Sequence, residues 1–126
     1  MNTADMNVLI VDDYQTMLRI MNNLLKQLGF SKIDQATDGK MALDLMKHKK
    51  YDLVISDWNM EPMTGLELVK CVRAAEDKNT DVPFIMVTAE SKTDNVIAAR
   101  AAGVNNYIVK PFNADTLQQK ISSVMP

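Results

Sequence analysis

Val8-Leu-Ile-Val-Asp-Asp13 is a continuous apolar run closed by two adjacent acids. A run this short, with no polar alternation and chemistry at its end, reads as a strand buried on both faces, the kind found in parallel sheets. The chain repeats the construction three times. Asp57 follows Leu53-Val-Ile-Ser56, Thr88 follows Phe84-Ile-Met-Val87, and Lys110-Pro111 follows Tyr107-Ile-Val109. Laid side by side, four such strands bring three carboxylates, a hydroxyl and an ammonium group to one edge of a sheet, where open α/β sheets bind their ligands. That set suits a divalent cation together with a phosphoryl group, and it points to a signalling switch rather than a metabolic enzyme.

Between these runs the apolar period changes to that of helices. Met17, Met21, Leu24, Leu25 and Leu28 lie on one face of a helix that Gly29 ends. A weaker strand, Lys32 to Ala36, leads to a helix with Met41, Ala42, Leu45 and Met46 inward. Helices over Gly65 to Ala75, Thr93 to Ala102 and Ala114 to Val124 follow the remaining strands, with Gly103 as a stop and Leu117, Ile121 and Val124 inward. Thr64-Gly-Leu-Glu67 reads as a capping box that opens the third helix. Five strands thus alternate with five helices, and short right-handed crossovers make the sheet parallel.

Composition excludes several classes. The 126 residues fit one domain, and a net charge of -2 with both signs scattered indicates neither a nucleic-acid surface nor a polybasic membrane patch. Lys47, Lys49 and Lys50 around His48 read as the cationic close of a helix. A lone Cys71 excludes an internal disulfide and agrees with a reducing compartment; beside Leu68, Val69 and Val72 it reads as a small buried hydrophobe. Neither a signal peptide nor a membrane-length apolar run is evident, so the expectation is a cytoplasmic protein.

The acids carry the strongest argument. A single Asp after a strand is commonly a turn former or cap, but Asp12 and Asp13 aimed at the same edge as Asp57 repel one another, which a fold tolerates when a cation or basic group answers the charge. Magnesium, with its preference for oxygen ligands and retained waters, is the natural cation. Lys110, tethered by Pro111 at the same edge, is the second answer.

Leu9-Ile-Val-Asp-Asp13, Val54-Ile-Ser-Asp-Trp-Asn-Met60, Val87-Thr-Ala-Glu90 and Val109-Lys-Pro-Phe112 resemble the receiver domains of two-component response regulators, over essentially the whole chain. With Trp58 and Tyr107 the likeness extends to the stand-alone chemotaxis regulators of that family. The resemblance implies a flavodoxin-like, doubly wound (βα)5 domain spanning residues 1–126, with strand order 2-1-3-4-5. It implies that Asp57 takes a phosphoryl group from a phosphohistidine of a chemotaxis-type sensor kinase. It further implies that Asp13, Asp57 and the Asn59 backbone carbonyl bind Mg2+ directly, that Asp12 acts through the ion's waters, and that Lys110 and Thr88 contact the phosphoryl group. Thr88 and Tyr107 would form the switch. Asn59, Glu61 and Glu90 would govern phosphoryl lifetime and access. The implied output is a changed affinity for a partner, in chemotaxis the flagellar motor switch, from a monomer that acts on no external substrate and is served in some systems by a phosphatase.

The chain departs from the family pattern at three places. Glu61 stands directly after Met60 where a proline is usual, with Pro62 following, adding a carboxylate near the implied metal; Thr64 stands where Asp is frequent; and Ser91-Lys92-Thr93 carries fewer lysines than the best-known chemotaxis regulator of the family. Within the family the alternative is a phosphorelay intermediate or phosphate sink that binds no motor. Outside it, a haloacid-dehalogenase-like phosphatase needs an acid where Asn59 stands. A flavodoxin-like electron carrier would find its phosphate repelled by Asp12-Asp13. Serine hydrolase and zinc readings lack an elbow motif and ligands beyond His48.

Overall fold

The computed structural model describes residues 3–89 and 93–125, apart from the side chain of Thr93. After a short 3-10 turn at Thr3–Asp5 the elements run β1 (Asn7–Val11), α1 (Gln15–Gln27), β2 (Lys32–Ala36), α2 (Gly39–His48) and β3 (Leu53–Asp57). They continue as α3 (Gly65–Ala74), β4 (Phe84–Thr88), α4 (Thr93–Ala102), β5 (Asn106–Val109) and α5 (Ala114–Val124). The five strands form one parallel sheet in the order β2-β1-β3-β4-β5, as the family resemblance implies.

Side chains of the inner strands are buried on both faces, which explains the unbroken apolar runs. Leu9, Val11, Val54, Phe84 and Met86 enter a core with Ala42, Met46, Leu68, Val69, Val72 and Ala99 of α2, α3 and α4. Val8, Ile10, Leu53, Ile55, Ile85 and Val87 enter a second core with Leu18, Met21 and Leu25 of α1 and Leu117 and Ile121 of α5. Two helices therefore cover one face and three the other. The connections from β1 and β3, which are neighbours, leave in opposite directions and open a crevice at their C-terminal ends.

Local signals hold. Thr64 Oγ1 accepts the Glu67 N–H at 3.1 Å and Glu67 Oε1 accepts the Thr64 N–H at 3.1 Å, completing the capping box. Gly29 and Gly103, at φ of 99° and 109°, end α1 and α4 in the left-handed region that glycine enters without a Cβ penalty.

Three expectations need correction. Cys71 is exposed, not buried. The buried stripe of α3 is Leu68, Val69 and Val72, and at 100° per residue Cys71 lies about 110° from its centre. Met41 is 42% exposed, because the stripe of α2 is Gly39, Ala42 and Met46 and Met41 lies nearly opposite. Lys49 lies past the end of α2, and its Nζ sits 2.9 Å from Asp34 Oδ2 on β2 instead of closing the helix. Among the described residues no helix is long and apolar enough to cross a membrane.

One tie escaped sequence reading. Arg73 of α3 donates from Nε and Nη2 to the Gly103 carbonyl at 3.1 and 2.8 Å and from Nη1 to the Thr80 carbonyl at 2.8 Å. It thereby pins the C-terminal end of α4 to α3, with both acceptors being main-chain groups that no motif announces.

Candidate phosphoryl and metal site

Two strand ends and two residues that directly follow strands build the crevice. Asp12 directly follows β1, Asp57 and Thr88 close β3 and β4, and the three are 6%, 7% and 8% exposed, while Asp13 is exposed at the mouth. Lys110 follows β5, and its N–H donates to the Thr88 carbonyl at 2.8 Å, continuing the ladder one step beyond the strand. This holds its ammonium over the acids: Nζ lies 3.1 Å from Asp57 Oδ1 and 3.8 Å from Asp12 Oδ2.

Electrostatics shows what the arrangement costs. Burial pushes the Asp12 carboxyl up to about 6 and the Asp57 charge adds to the rise, against a lowering hydrogen bond from the Tyr14 N–H to Asp12 Oδ1 at 2.9 Å. Burial also raises Asp57, with Lys110 opposing it. One lysine does not neutralise three acids. Carboxylate oxygens of Asp12, Asp13 and Asp57 all lie within 4.8 Å of one another. Opposite ligands of an octahedral Mg2+ at about 2.1 Å are about 4.2 Å apart, so the spacing and the all-oxygen donor set fit a hard divalent cation.

The backbone at Asp57 is held from several sides. Ser56 Oγ donates to the Asp57 carbonyl at 3.0 Å, the Trp58 N–H to the Val87 carbonyl at 2.9 Å, and the Gly65 N–H to the Trp58 carbonyl at 2.9 Å. Gly65 packs so closely that a Cβ there would run into the Asp57 carbonyl and come 2.6 Å from Met86 Sδ. Gly65→Ala is therefore expected to destabilise the fold by about 1–3 kcal/mol, the usual cost of overpacking, because the main chain cannot yield without moving Asp57. Urea unfolding measures it; an unchanged midpoint would mean that this loop does not hold Asp57 rigidly. Sequence reading took Gly65 only as a helix start, since nothing local reveals what its missing Cβ leaves room for.

The remaining candidates spread outward. Asn59 and Glu61 are exposed and share a cleft of 330 Å3 with Asp13, Met60 and Thr64. Glu90 lies outside the described residues, as do Ser91 and Lys92. Tyr107 stands opposite Met86 in the β4–β5 register, so it shares the α4 face of the sheet with Thr88. Its ring is half-buried against the core of that face, with Lys120 Nζ of α5 at 5.0 Å from the centroid. The crevice thus gathers Asp12, Asp13, Asp57, Thr88 and Lys110, whereas Tyr107 sits behind it in the sheet and Glu61 at its rim.

Comparison with known proteins agrees with this geometry. The sequence profile of the response regulator receiver domain matches residues 8–122. The chain is 48% identical over 120 residues to the chemotaxis protein CheY-3 of Vibrio cholerae serotype O1, covering 95% of this chain and 92% of that protein. It is 47% identical over 119 residues to the chemotaxis protein CheY of Pseudomonas aeruginosa, covering 94% and 95%. Among solved structures, Vibrio cholerae CheY4 superposes with a TM-score of 0.89 at 33% identity over 95% of this chain and 98% of that one. The receiver domain of the Pseudomonas aeruginosa sensor histidine kinase PA1611, solved with a magnesium ion in its active-site cleft, superposes with a TM-score of 0.84 at 25% identity over 94% and 96%. With its sheet order, its acidic crevice and these matches in agreement, the chain belongs to the response regulator receiver domain family and is similar to its chemotaxis regulators.

Proposed function

We propose that residues 1–126 act as a cytoplasmic, monomeric phosphorylation switch in which Asp57 accepts a phosphoryl group from the phosphohistidine of a sensor kinase. The observation that carries the reading is Lys110 Nζ at 3.1 Å from Asp57 Oδ1, beside three carboxylates gathered at a strand-edge crevice. A carboxylate so placed is a nucleophile with a fixed approach, and the lysine above it meets the incoming phosphoryl oxygens. Asp13, Asp57 and the Asn59 carbonyl would hold Mg2+, with Asp12 acting through its waters; when bound, the ion offsets charge on the transferring group. Asn59, Glu61 and Glu90 would set how long the phosphoryl group survives and what reaches it. Incubation with magnesium and a small-molecule phosphodonor, followed by intact-mass measurement, tests the acceptor. The chain turns over no external substrate on this reading.

Trp58, half-buried next to Asp57, reports the metal. Magnesium is expected to change its fluorescence, and Asp13→Ala to weaken the apparent affinity at least tenfold, since a direct ligand is removed. Calorimetry with no magnesium binding would reject the metal site.

Output follows from the shared face of Thr88 and Tyr107. A Thr88 hydroxyl drawn toward phosphorylated Asp57 vacates space on the α4 side, into which the Tyr107 ring packs, shifting the population of two packings of α4, β5 and α5. Switches of this kind carry about 1–3 kcal/mol, so affinity for a flagellar motor switch peptide is expected to rise about 5- to 150-fold on phosphorylation. Thr88→Ala should keep phosphorylation and lose most of that gain. A gain left intact would route the signal elsewhere, and no peptide binding in either state would favour a relay intermediate or phosphate sink.

A further inference from the structure

Glu61 stands at the rim of the crevice, and nothing in the transfer step as described uses its charge. It is exposed, forms no ion pair or hydrogen bond with another described residue, and lines the 330 Å3 cleft together with Asp13, Asn59, Met60 and Thr64. Glu61 thus lines the same cleft as Asp13, one of the three crevice acids, and at low ionic strength, where the Debye length is about 30 Å, its charge is not screened from the crevice mouth. Every phosphodonor that enters from this side therefore meets the Glu61 field.

The charge count makes the residue decisive. Asp12, Asp13 and Asp57 contribute -3, Lys110 +1 and a bound divalent cation +2, which leaves the loaded crevice neutral. Glu61 turns that balance to -1. We infer that Glu61 is a specificity-determining residue for the phosphodonor, disfavouring dianionic acyl phosphates relative to donors that carry a cationic nitrogen on phosphorus, the class to which phosphohistidine belongs. The inference rests on Asp57 being the acceptor. With acetyl phosphate, an Asp57 oxygen bonds to phosphorus as the bridging P–O bond breaks and acetate leaves with the electron pair. With phosphoramidate, a monoanion whose nitrogen is already protonated, the P–N bond breaks and ammonia leaves. Both routes end at the same aspartyl phosphate, so only the approach differs in charge.

The magnitude follows from Coulomb's law. At a separation of about 7 Å in water, one charge changes the local concentration of a dianion about sevenfold and of a monoanion about threefold. Glu61→Gln at saturating magnesium and low ionic strength is therefore expected to speed phosphorylation by acetyl phosphate about sevenfold and by phosphoramidate about threefold, both converging on the wild-type rates in 0.5 M salt. Glu61→Lys should widen the ratio further. In the absence of any donor, magnesium affinity read from Trp58 fluorescence should fall about sevenfold in Glu61→Gln, because the same charge attracts the cation.

An adduct on the wild type with equal acceleration for the two donors, or with none, overturns this inference alone. A ratio unmoved by salt does the same. No adduct on the wild type from either donor overturns the assignment of Asp57 and this inference with it, and unchanged magnesium affinity in Glu61→Gln shows that the carboxylate lies outside the reach of the site.

Discussion

Incubated with magnesium and acetyl phosphate, the wild-type protein is expected to gain a single phosphoryl group, and Asp57→Asn to gain none. The reason is geometric. Asp13 is exposed and free to meet the same donor, and Asp12 is buried beside it, yet only Asp57 has an ammonium group at 3.1 Å to receive the phosphoryl oxygens. Positioning and charge compensation together account for most of the catalysis available to phosphoryl transfer, so the acceptor with both should outcompete acceptors with one. The asparagine keeps the shape of the side chain and removes the nucleophilic charge. Loss of the adduct then reports chemistry and not misfolding, and the unfolding midpoint of the variant checks that. Omitting magnesium should slow the wild type strongly while leaving the fold intact. An undiminished adduct on Asp57→Asn would move the acceptor to another carboxylate and end the present reading of the crevice.

Asp12→Asn is expected to stabilise the magnesium-free protein by about 3 kcal/mol at pH 7. Burial, aided by the Asp57 charge, lifts the Asp12 carboxyl from 3.8 to about 6, and at 1.36 kcal/mol per tenfold change in proton affinity that rise corresponds to about 3 kcal/mol. The sign follows from proton counting. Between pH 4 and 6 the folded protein holds a proton on Asp12 that the unfolded chain has released, so stability falls as pH rises through that window and stays low above it. Asp57, raised for the same leading reason, tilts the slope the same way. The amide side chain of the Asp12→Asn variant keeps an oxygen for the Tyr14 N–H, loses the repulsion, and should give a flatter profile that meets the wild type near pH 4. Magnesium should narrow the difference at pH 7, since an ion held as proposed would bind the folded wild type and stabilise it by mass action. Urea unfolding from pH 4 to 8, with and without magnesium, measures all of this. A wild type that gains stability from pH 4 to 7 without metal would show that Lys110 outweighs the burial of the acids.

These two results test one design from opposite sides: the groups that would make Asp57 reactive on the proposed function are the groups whose burial the metal-free fold opposes. Lys110 opposes part of that cost and a bound cation would offset the rest, so the proposed function would set stability and activity in opposition within a few ångströms.

How much of this was legible beforehand differs by kind of feature. The strands β1, β3 and β4 could be read because a strand covered on both faces needs an unbroken apolar run, and Val8 to Val11, Leu53 to Ile55 and Phe84 to Val87 supply it without help from neighbours. Asp12, Asp13, Asp57, Thr88 and Lys110 could be read as convergent because a parallel sheet aligns its strand ends, so position after the run was enough. The cap at Thr64 is likewise local chemistry, complete within four residues. The sequence by itself therefore determined the alternation of elements, the edge at which the chemistry collects and the charge collected there. Tertiary structure alone decided the rest. Cys71 and Met41 turned outward because one residue's rotation around a helix depends on where the neighbouring layer lies, and the apolar letters alone are compatible with either side. Gly65 against the Asp57 carbonyl, Arg73 on the carbonyls of Thr80 and Gly103, and Glu61 across a cleft from Asp13 all join residues through main-chain atoms or space. Such contacts leave no pattern in the chain, because any side chain supplies the same carbonyl and an open cleft is written by the packing around it.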